Sequence, residues 1–492
     1  MVLIRYSLLD FKAKMKKYST GFGNKFAPYG RSIAIWIPVY FIVFVFMLGG
    51  GARSDIASLP LLRGGSVLFA LWAAFQLSQD DWRRIRVPLV LTLALTVWIA
   101  LQLVPLPPSV WHDLPGREIV AQLDELLGQS DVWRPISMTP SQTWNALLAM
   151  TVVLAGLLVA ASLKSDDLPR VMFSFVIIGC ASCVIGLFQA LSGAGSSSYF
   201  YRITNDGAIV GLFANRNHHA IFLAWDVLIA SILFRDELMR KRSRSMVRFG
   251  LAVAIILLTV VAVLIGSRAG LAAIVASFVV SYIVVAFAWY SRTPRVGRLL
   301  SDRGAGFVSP RGIFLALPPI ILALSVGIAL ALSSRVSSVT RIRGEVLADD
   351  MRILAWPTVE AMISKFWLLG SGFGSFAQVF KIYEPDSLLQ PTYFNHAHND
   401  FAEVIISGGI FFAILIACAV LWVSWKISRR GLRNLVRGYR GDTRLPAILI
   451  ILIAVGASLV DYPLRVPSLQ VFLIWVIVIS CSPPPPRAVG PK

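Results

Sequence analysis

Charge is what this sequence has least of. Only 15% of its 492 residues are Asp, Glu, Lys or Arg and 57% are apolar, where an ordinary soluble domain carries about 25% charged. That balance excludes a soluble globule, and it also excludes disorder, which requires low hydrophobicity. Cysteine is scarce: four in the whole chain are too few for a disulfide-dense secreted scaffold. Cys180 and Cys183 have the spacing of redox and zinc motifs, but they stand in an apolar run, as do Cys418 and Cys481, and read as small packing residues. Acidic residues are the minority sign, 26 against 46 Lys and Arg, for a net charge of +20. Elsewhere such a balance points to nucleic acid or a charged surface; in so apolar a chain it asks which side of a membrane holds the positive charge. There is no internal repeat, and low complexity is confined to the proline run 483–486, a tail that stops the last helix. No cleavable signal peptide is expected, because the polar, basic residues 1–32 lead directly into a full-length apolar run, as a retained cytoplasmic tail does.

A transmembrane helix needs about 20 mostly apolar residues. Runs of that kind predict twelve spans, at 33–50, 65–79, 87–105, 144–163, 171–191, 218–234, 249–266, 269–290, 313–333, 405–425, 445–460 and 467–482. The fold class is therefore an all-α polytopic membrane protein. Placing the N-terminus inside puts 32 basic and 9 acidic residues in the cytoplasmic segments, and 14 basic and 16 acidic on the other side, with Asp226 alone inside a span. Both tallies obey the positive-inside rule, so both termini (1–32 and 483–492) are expected to be cytoplasmic.

Two outer segments are long, 106–143 and 334–404, and loops beyond about 12–15 residues are uncommon unless functional or disordered. The second is rich in Trp and Phe and shows helical spacing over 350–363. We read 334–404 as a folded cap on the outer face, between spans 1–9 (33–333) and spans 10–12 (405–482).

All five histidines fall on the outer side, four of them in two motifs. At the entrance of the sixth span stand Gly211, Phe213, Asn215, Asn217, His218 and His219, residue types that also simply start helices. Ser267, Arg268 and Gly270 lie between two long apolar runs. An arginine there either snorkels or marks a substrate path. The third constellation runs from Arg352 and Trp356 through Gly370, Gly372, Gly374 and Phe376 to Asn395, His396, His398, Asn399, Asp400 and Glu403. Its glycines lack the lysine and the strand–helix context of a phosphate loop and read as a turn between cap elements. His396, His398, Asp400 and Glu403 offer imidazole and carboxylate to a metal, against which the acids also read as helix-start charges. Asp226 admits a proton path or a polar cavity, and one lone acid supports a pump only weakly.

Taken in order, these motifs resemble the O-antigen ligase and O-antigen/exopolysaccharide polymerase superfamily of bacterial inner membranes. The likeness covers most of the chain: Val104-Pro105-Leu106-Pro107-Pro108, Ser137-Met138-Thr139-Pro140 with Thr143 and Trp144, the Asn215/Asn217 motif, Ser267-Arg268-x-Gly270, Arg352 with Trp356 and the glycine run, His398-Asn399 with Gly409, and Asp461-Tyr462-Pro463-Leu464-Arg465-Val466-Pro467. The resemblance implies a GT-C-like glycosyltransferase whose donor is a glycan on undecaprenyl diphosphate, with a lipid A–core or growing polysaccharide acceptor. It further implies a periplasmic active site in the inner membrane, inverting transfer, and no cofactor, metal or nucleic acid. His398 matches the family's base, and Arg268 and Arg352 its diphosphate-binding arginines. Asn215, Asn217, His396, Asn399, Tyr462 and Arg465 are expected to line the acceptor channel or brace the base. None of Arg335, Arg341, Arg343 or Arg352 is followed by ten residues and then glycine, a spacing of certain polymerases, and ligase and polymerase both stay open. The competing class is a transporter or channel for a small solute or lipid-linked sugar. Such proteins often carry inverted repeats and midplane polar groups, while here the polar motifs gather at the outer face.

Overall fold

The computed structural model describes residues 35–164, 166–240, 242–292, 340–389, 394–428 and 443–481, with residues 320 and 327. The predicted span 313–333 (apart from those two residues), the tails 1–32 and 483–492, and much of the loops 291–312 and 426–444 lie outside the described residues.

The chain folds as helices α1 (Ile37–Leu48), α2 (Leu59–Gln76), α3 (Gln79–Arg84), α4 (Arg86–Leu101), α5 (Pro108–Trp111), α6 (Glu118–Leu126), α7 (Pro140–Ser162), α8 (Leu168–Ser192), α9 (Arg216–Leu238), α10 (Ser245–Leu264), α11 (Arg268–Arg292), α12 (Thr340–Phe366), α13 (Phe376–Tyr383), α14 (Asp400–Ser428), α15 (Arg444–Ser458) and α16 (Pro467–Cys481). Proline opens α1, α2, α7 and α8 in the first turn, where its missing N–H has no intrahelical partner to lose. That is why α2 begins at Leu59 rather than at the expected 65. Among the described residues, α2, α7, α8, α10, α11 and α14 are long and apolar enough to cross a membrane, and α1, α4, α15 and α16 are shorter apolar helices. The chain is thus an all-α polytopic membrane protein.

The axis of the bundle is α9, buried on every side from His218 through Arg235 and enclosed by α8, α10, α11 and α15. Between helices in lipid the hydrophobic effect is weak, so small residues that let backbones approach carry the packing. Gly270 of α11 is such a residue: a Cβ there would stand 2.4 Å from Ala220 Cβ. One end of the bundle is tied together by backbone. Ala214 N donates to Gly50 O at 3.1 Å and Ser468 N to Gly49 O at 3.0 Å, joining the end of α1 to the starts of α9 and α16.

At that same end α14 is broken. Gly409 has φ 63 and ψ −162, a region open only to glycine. The freed carbonyls find new donors: Ile406 O accepts from Ser371 N at 2.7 Å and Ser407 O from Gly372 N at 3.1 Å. The indole of Trp98 donates to Gly408 O at 2.8 Å, and Gln102 Nε2 to Ser407 O and Leu369 O, both at 3.0 Å. An interrupted helix at membrane depth is tolerated only where protein satisfies its backbone groups. The glycine run 370–374 is therefore the backbone partner of the break: a Cβ on Gly370 would meet Ser407 O at 2.3 Å and one on Gly409 would meet Leu368 O at 2.4 Å.

The two long segments between spans, 106–143 and the described part of 334–404, pack on each other. Strands β1 (Pro105–Leu106) and β2 (Arg134–Pro135) form a short antiparallel ladder, and Met138 N donates to Ser371 O at 2.9 Å. Buried Arg117 donates to Ile136 O at 2.6 Å and Gly370 O at 2.9 Å and lies over the Phe366 ring. Burial lowers its guanidinium to about 10, against the pull of Tyr383 and Glu118.

Two glycine substitutions separate strain from space. Gly409→Ala is expected to lower thermal stability by about 1–3 kcal/mol, because its conformation and its closeness to Leu368 O both exclude a side chain. Gly456 in α15 has nothing within 4 Å of its Cβ position. Gly456→Ala is expected to be neutral or to stabilise by about 0.5–1 kcal/mol, as read from unfolding of the detergent-purified protein.

Candidate functional site

Three stretches far apart in sequence meet at the broken end of the bundle: residues 395–403 leading into α14, residues 458–466 between α15 and α16, and the first turn of α9. Each is placed by helix-end chemistry. Asn215 caps α9, its side chain accepting from Asn217 N at 2.8 Å. Asn399 caps α14, accepting from Ala402 N at 3.0 Å, and its amide donates to Leu459 O at 3.3 Å. The turn after α15 is closed by Asp461 N donating to Ala457 O at 2.8 Å, and a 3-10 turn, Pro463–Arg465, leads into α16.

Within this frame His398 faces Asp461, Nδ1 to Oδ1 at 3.5 Å. The other carboxylate oxygen accepts from Asn217 Nδ2 at 2.9 Å, and Oδ1 also accepts from Tyr462 N at 3.0 Å. Burial pushes the Asp461 carboxyl up. The adjoining His398, His218 and Asn217 outweigh it and hold the group well below the usual carboxylate range. His398 adopts φ 50, the only left-handed non-glycine among the described residues. Such a backbone costs about 1–2 kcal/mol, so the fold holds this imidazole at the expense of local strain.

A second charged group lies beside the first. His396 Nδ1 is 3.0 Å from Glu403 Oε1, and Ala397 N donates to Glu403 Oε2 at 3.1 Å. Arg465 spans both acids of the α14 start, Nη2 at 3.3 Å from Glu403 and Nε at 3.4 Å from Asp400, whose far oxygen accepts from Ser458 Oγ at 2.9 Å. Burial lowers the Arg465 guanidinium, but the two carboxylates more than reverse this and raise it. Between the two groups stands Tyr462. Its ring centroid is 4.2 Å from that of His396 and 5.2 Å from those of His398 and His218. Burial above all, and the Asp461 charge, push its hydroxyl up to about 12, while Asn395 and Asn215 hydrogen-bond it.

The expected residues thus separate. His398, His396, Asn215, Asn217, Asn399, Tyr462 and Arg465 share one cluster, and Arg352 reaches its edge with Nη1 3.4 Å from Val460 O. Arg268 is exposed as the first residue of α11. Gly270, two residues on, packs on Ala220, which puts Arg268 at the same end of the bundle as His218. His219 turns away, with Nε2 2.9 Å from Ser182 Oγ and Nδ1 3.2 Å from Ile209 O. Asp226 is remote, eight residues or about 12 Å further along α9, packed where a Cβ on Gly179 would be 1.9 Å from its Oδ2. Among the described residues no group of three or more His, Cys, Asp or Glu is set to hold a metal; both acids of that motif are engaged by Arg465.

Asp461 and Ser458 carry no sequence signal of their own as site residues, and Asp400 and Glu403 enter the sequence reading only as candidate metal ligands or helix-start charges. Asp461 opens the motif 461–467, in which the basic and aromatic members, Arg465 and Tyr462, are the more conspicuous. The signal available for the other acids was their place at a helix start, which reads as ordinary capping. Their actual partner, Arg465, lies 65 residues beyond Asp400 in sequence and is found only through the fold.

With this geometry in view, the chain was compared with known proteins. No curated protein gave a significant match. Residues 251–417 match the family model described as O-antigen ligase, a stretch that runs from α10 to the middle of α14 and includes Arg268, Arg352, His396 and His398. That match supports a likeness to the O-antigen ligase/polymerase superfamily and, with it, an O-antigen ligase-like function in polysaccharide biosynthesis.

Proposed function

We propose that this protein moves a glycan from an undecaprenyl-diphosphate carrier to a saccharide or lipid A–core acceptor, and that the end of the bundle bearing His398 faces the periplasm. The inferred frame is GT-C-like: twelve spans in the bacterial inner membrane, both termini cytoplasmic, with 334–404 as the outer cap. The observation that carries the reading is the His398–Asp461 pair. A carboxylate at Nδ1 favours the tautomer that leaves Nε2 as an acceptor, and it stabilises the imidazolium formed when a proton is taken. Asn217 and Tyr462 N fix the carboxylate, so the base is oriented by a third tier.

In this mechanism His398 removes the proton from an acceptor hydroxyl as its oxygen attacks the anomeric carbon. The bond to the diphosphate oxygen breaks on the opposite face, which inverts the configuration in one displacement. Negative charge grows on the departing lipid diphosphate. Fixed cations stabilise such charge best in a site that excludes water, and guanidinium matches phosphate oxygens in a fork. Arg352 and Arg268 are assigned that task. Arg465 is already spanned by two carboxylates, so we assign it to bracing the start of α14, and through Glu403 the His396 ring. The diphosphate is an activated leaving group, and the reaction is proposed to need no metal.

His398→Ala is expected to reduce transfer from a lipid-linked donor by about 10²–10⁴-fold while leaving insertion and thermal stability near wild type. Full activity in that variant, or solute uptake by the purified protein in liposomes, would sink the reading. Transfer is expected to persist in excess chelator; loss reversed by added zinc would overturn the metal-free mechanism. In a deletion strain, long lipid-linked chains unattached to lipid A–core mean ligase, and single repeat units mean polymerase.

Asp461 also gives the fold a pH dependence. Its carboxyl sits below the ordinary 3.8 in the folded state, so its contribution is complete above about pH 4 and is lost as pH falls through the lower folded value. Thermal stability measured from pH 6 downward is expected to fall more steeply in the wild type than in Asp461→Asn, which has no such charge to lose.

A further inference from the structure

Helix α6 is inside out. Ile119, Leu123, Leu126 and Leu127 recur at helical spacing along one face and are all exposed, Leu126 at 82%. The charged residue on the other side, Asp124, is the one that is buried, and it pairs with Arg134. The turn that follows extends the exposed stripe with Val132 and with Trp133 at 61%. In water this arrangement loses twice, leaving leucine wet while taking a carboxylate out of solvent.

Its position says what covers it. The ladder of β1 and β2 ties both ends of the segment to membrane helices: β1 begins four residues after α4 ends, and β2 ends five residues before α7 begins. Exposed apolar side chains run up to that boundary, Leu101 at the end of α4 with Val104 just beyond it, and Trp144 and Leu148 on α7. The stripe on α6 continues that apolar band beyond the helix ends. A helix with leucine on one face and a tryptophan at its edge is the form that lies in the plane of a lipid interface. We propose that residues 118–133 are a monotopic anchor, lying on the bilayer with the leucine stripe in the acyl boundary and Trp133 among the headgroups. Glu118, Glu125 and Asp131 rim the segment, so its attachment rests on apolar area and needs no anionic lipid. The opposite side carries Arg117, bonded to Ile136 O and Gly370 O. The anchor therefore sets the position of the 366–374 loop, and with it the broken start of α14, relative to the lipid surface. The anchor follows from the membrane fold alone, whatever chemistry the site performs.

The test is a polarity-sensitive fluorophore attached to Leu126→Cys or, separately, to Glu125→Cys. Both are made in full-length protein carrying Cys418→Ser, which removes the exposed thiol, and the unmodified Cys418→Ser protein gives the labelling background. In phosphatidylcholine vesicles the label at 126 is expected to emit further to the blue than the label at 125. It is expected to lose most of its intensity when the acyl chains are brominated near the headgroup, and the loss is expected to survive high salt. Equal emission and no quenching at either position would place the stripe in water and overturn the proposal. A blue shift without lipid quenching that disappears on dilution to one protein per vesicle would assign the stripe to a second copy of the chain, and would overturn it equally.

Discussion

Three carboxylates, Asp400, Glu403 and Asp461, are gathered where apolar helices end, and each is nearly buried. A carboxylate taken from water without partners costs several kcal/mol, so the site can exist only where donors meet it. Arg465 answers two of them and the Asn217–His398 side answers the third. That requirement fixes much else. It holds the turn after α15 against the starts of α9 and α14, it brings His396, His398 and His218 around one tyrosine ring, and it leaves His398 in a left-handed backbone that no local preference would select.

The broken α14 supplies the other half of the arrangement. Had the helix run on through Gly408 and Gly409, the carbonyls of Ile406 and Ser407 would have stayed within it, and the N–H groups of Ser371 and Gly372 would have lost these acceptors. The break lets a short first segment, with Asp400 and Glu403, stand at the site while the rest continues as an apolar helix. Trp98 and Gln102 at the end of α4 and Arg117 beside α6 all bond to this crossing. The geometry of the histidines is therefore coupled to both long outer segments.

The sequence made the helical membrane class legible because it rests on periodicity-free apolar runs and on loop charge, both of which are local properties. It placed α9 as a modest span; its role as the fully enclosed axis depends on neighbours that no run reveals. The residues of the cluster could be named from motifs, His398, Tyr462 and Arg465 among them, but not their pairing. Whether His218 or His219 would face the site was undecidable from adjacent positions on a helix, since 100° of rotation separates them and the sequence carries no mark of which face is inward. The glycine run showed itself as a turn; its partner, Gly409, was visible only as a spacing from His398. The inverted stripe on α6 is not legible in the sequence, because leucines on a helix read as core until the fold shows them exposed.

The central claim is that His398 and Asp461 act as one unit in the transfer step. A double-mutant cycle on single-turnover glycan transfer, with lipid-linked donor saturating, measures this directly. If the pair is a base and its orienting carboxylate, His398→Ala carries nearly the whole loss, and Asp461→Asn adds little to it when the two are combined. Losses that multiply in the combined variant, or an undiminished rate in His398→Ala, would contradict the account and return the search for the base to His396 and His218.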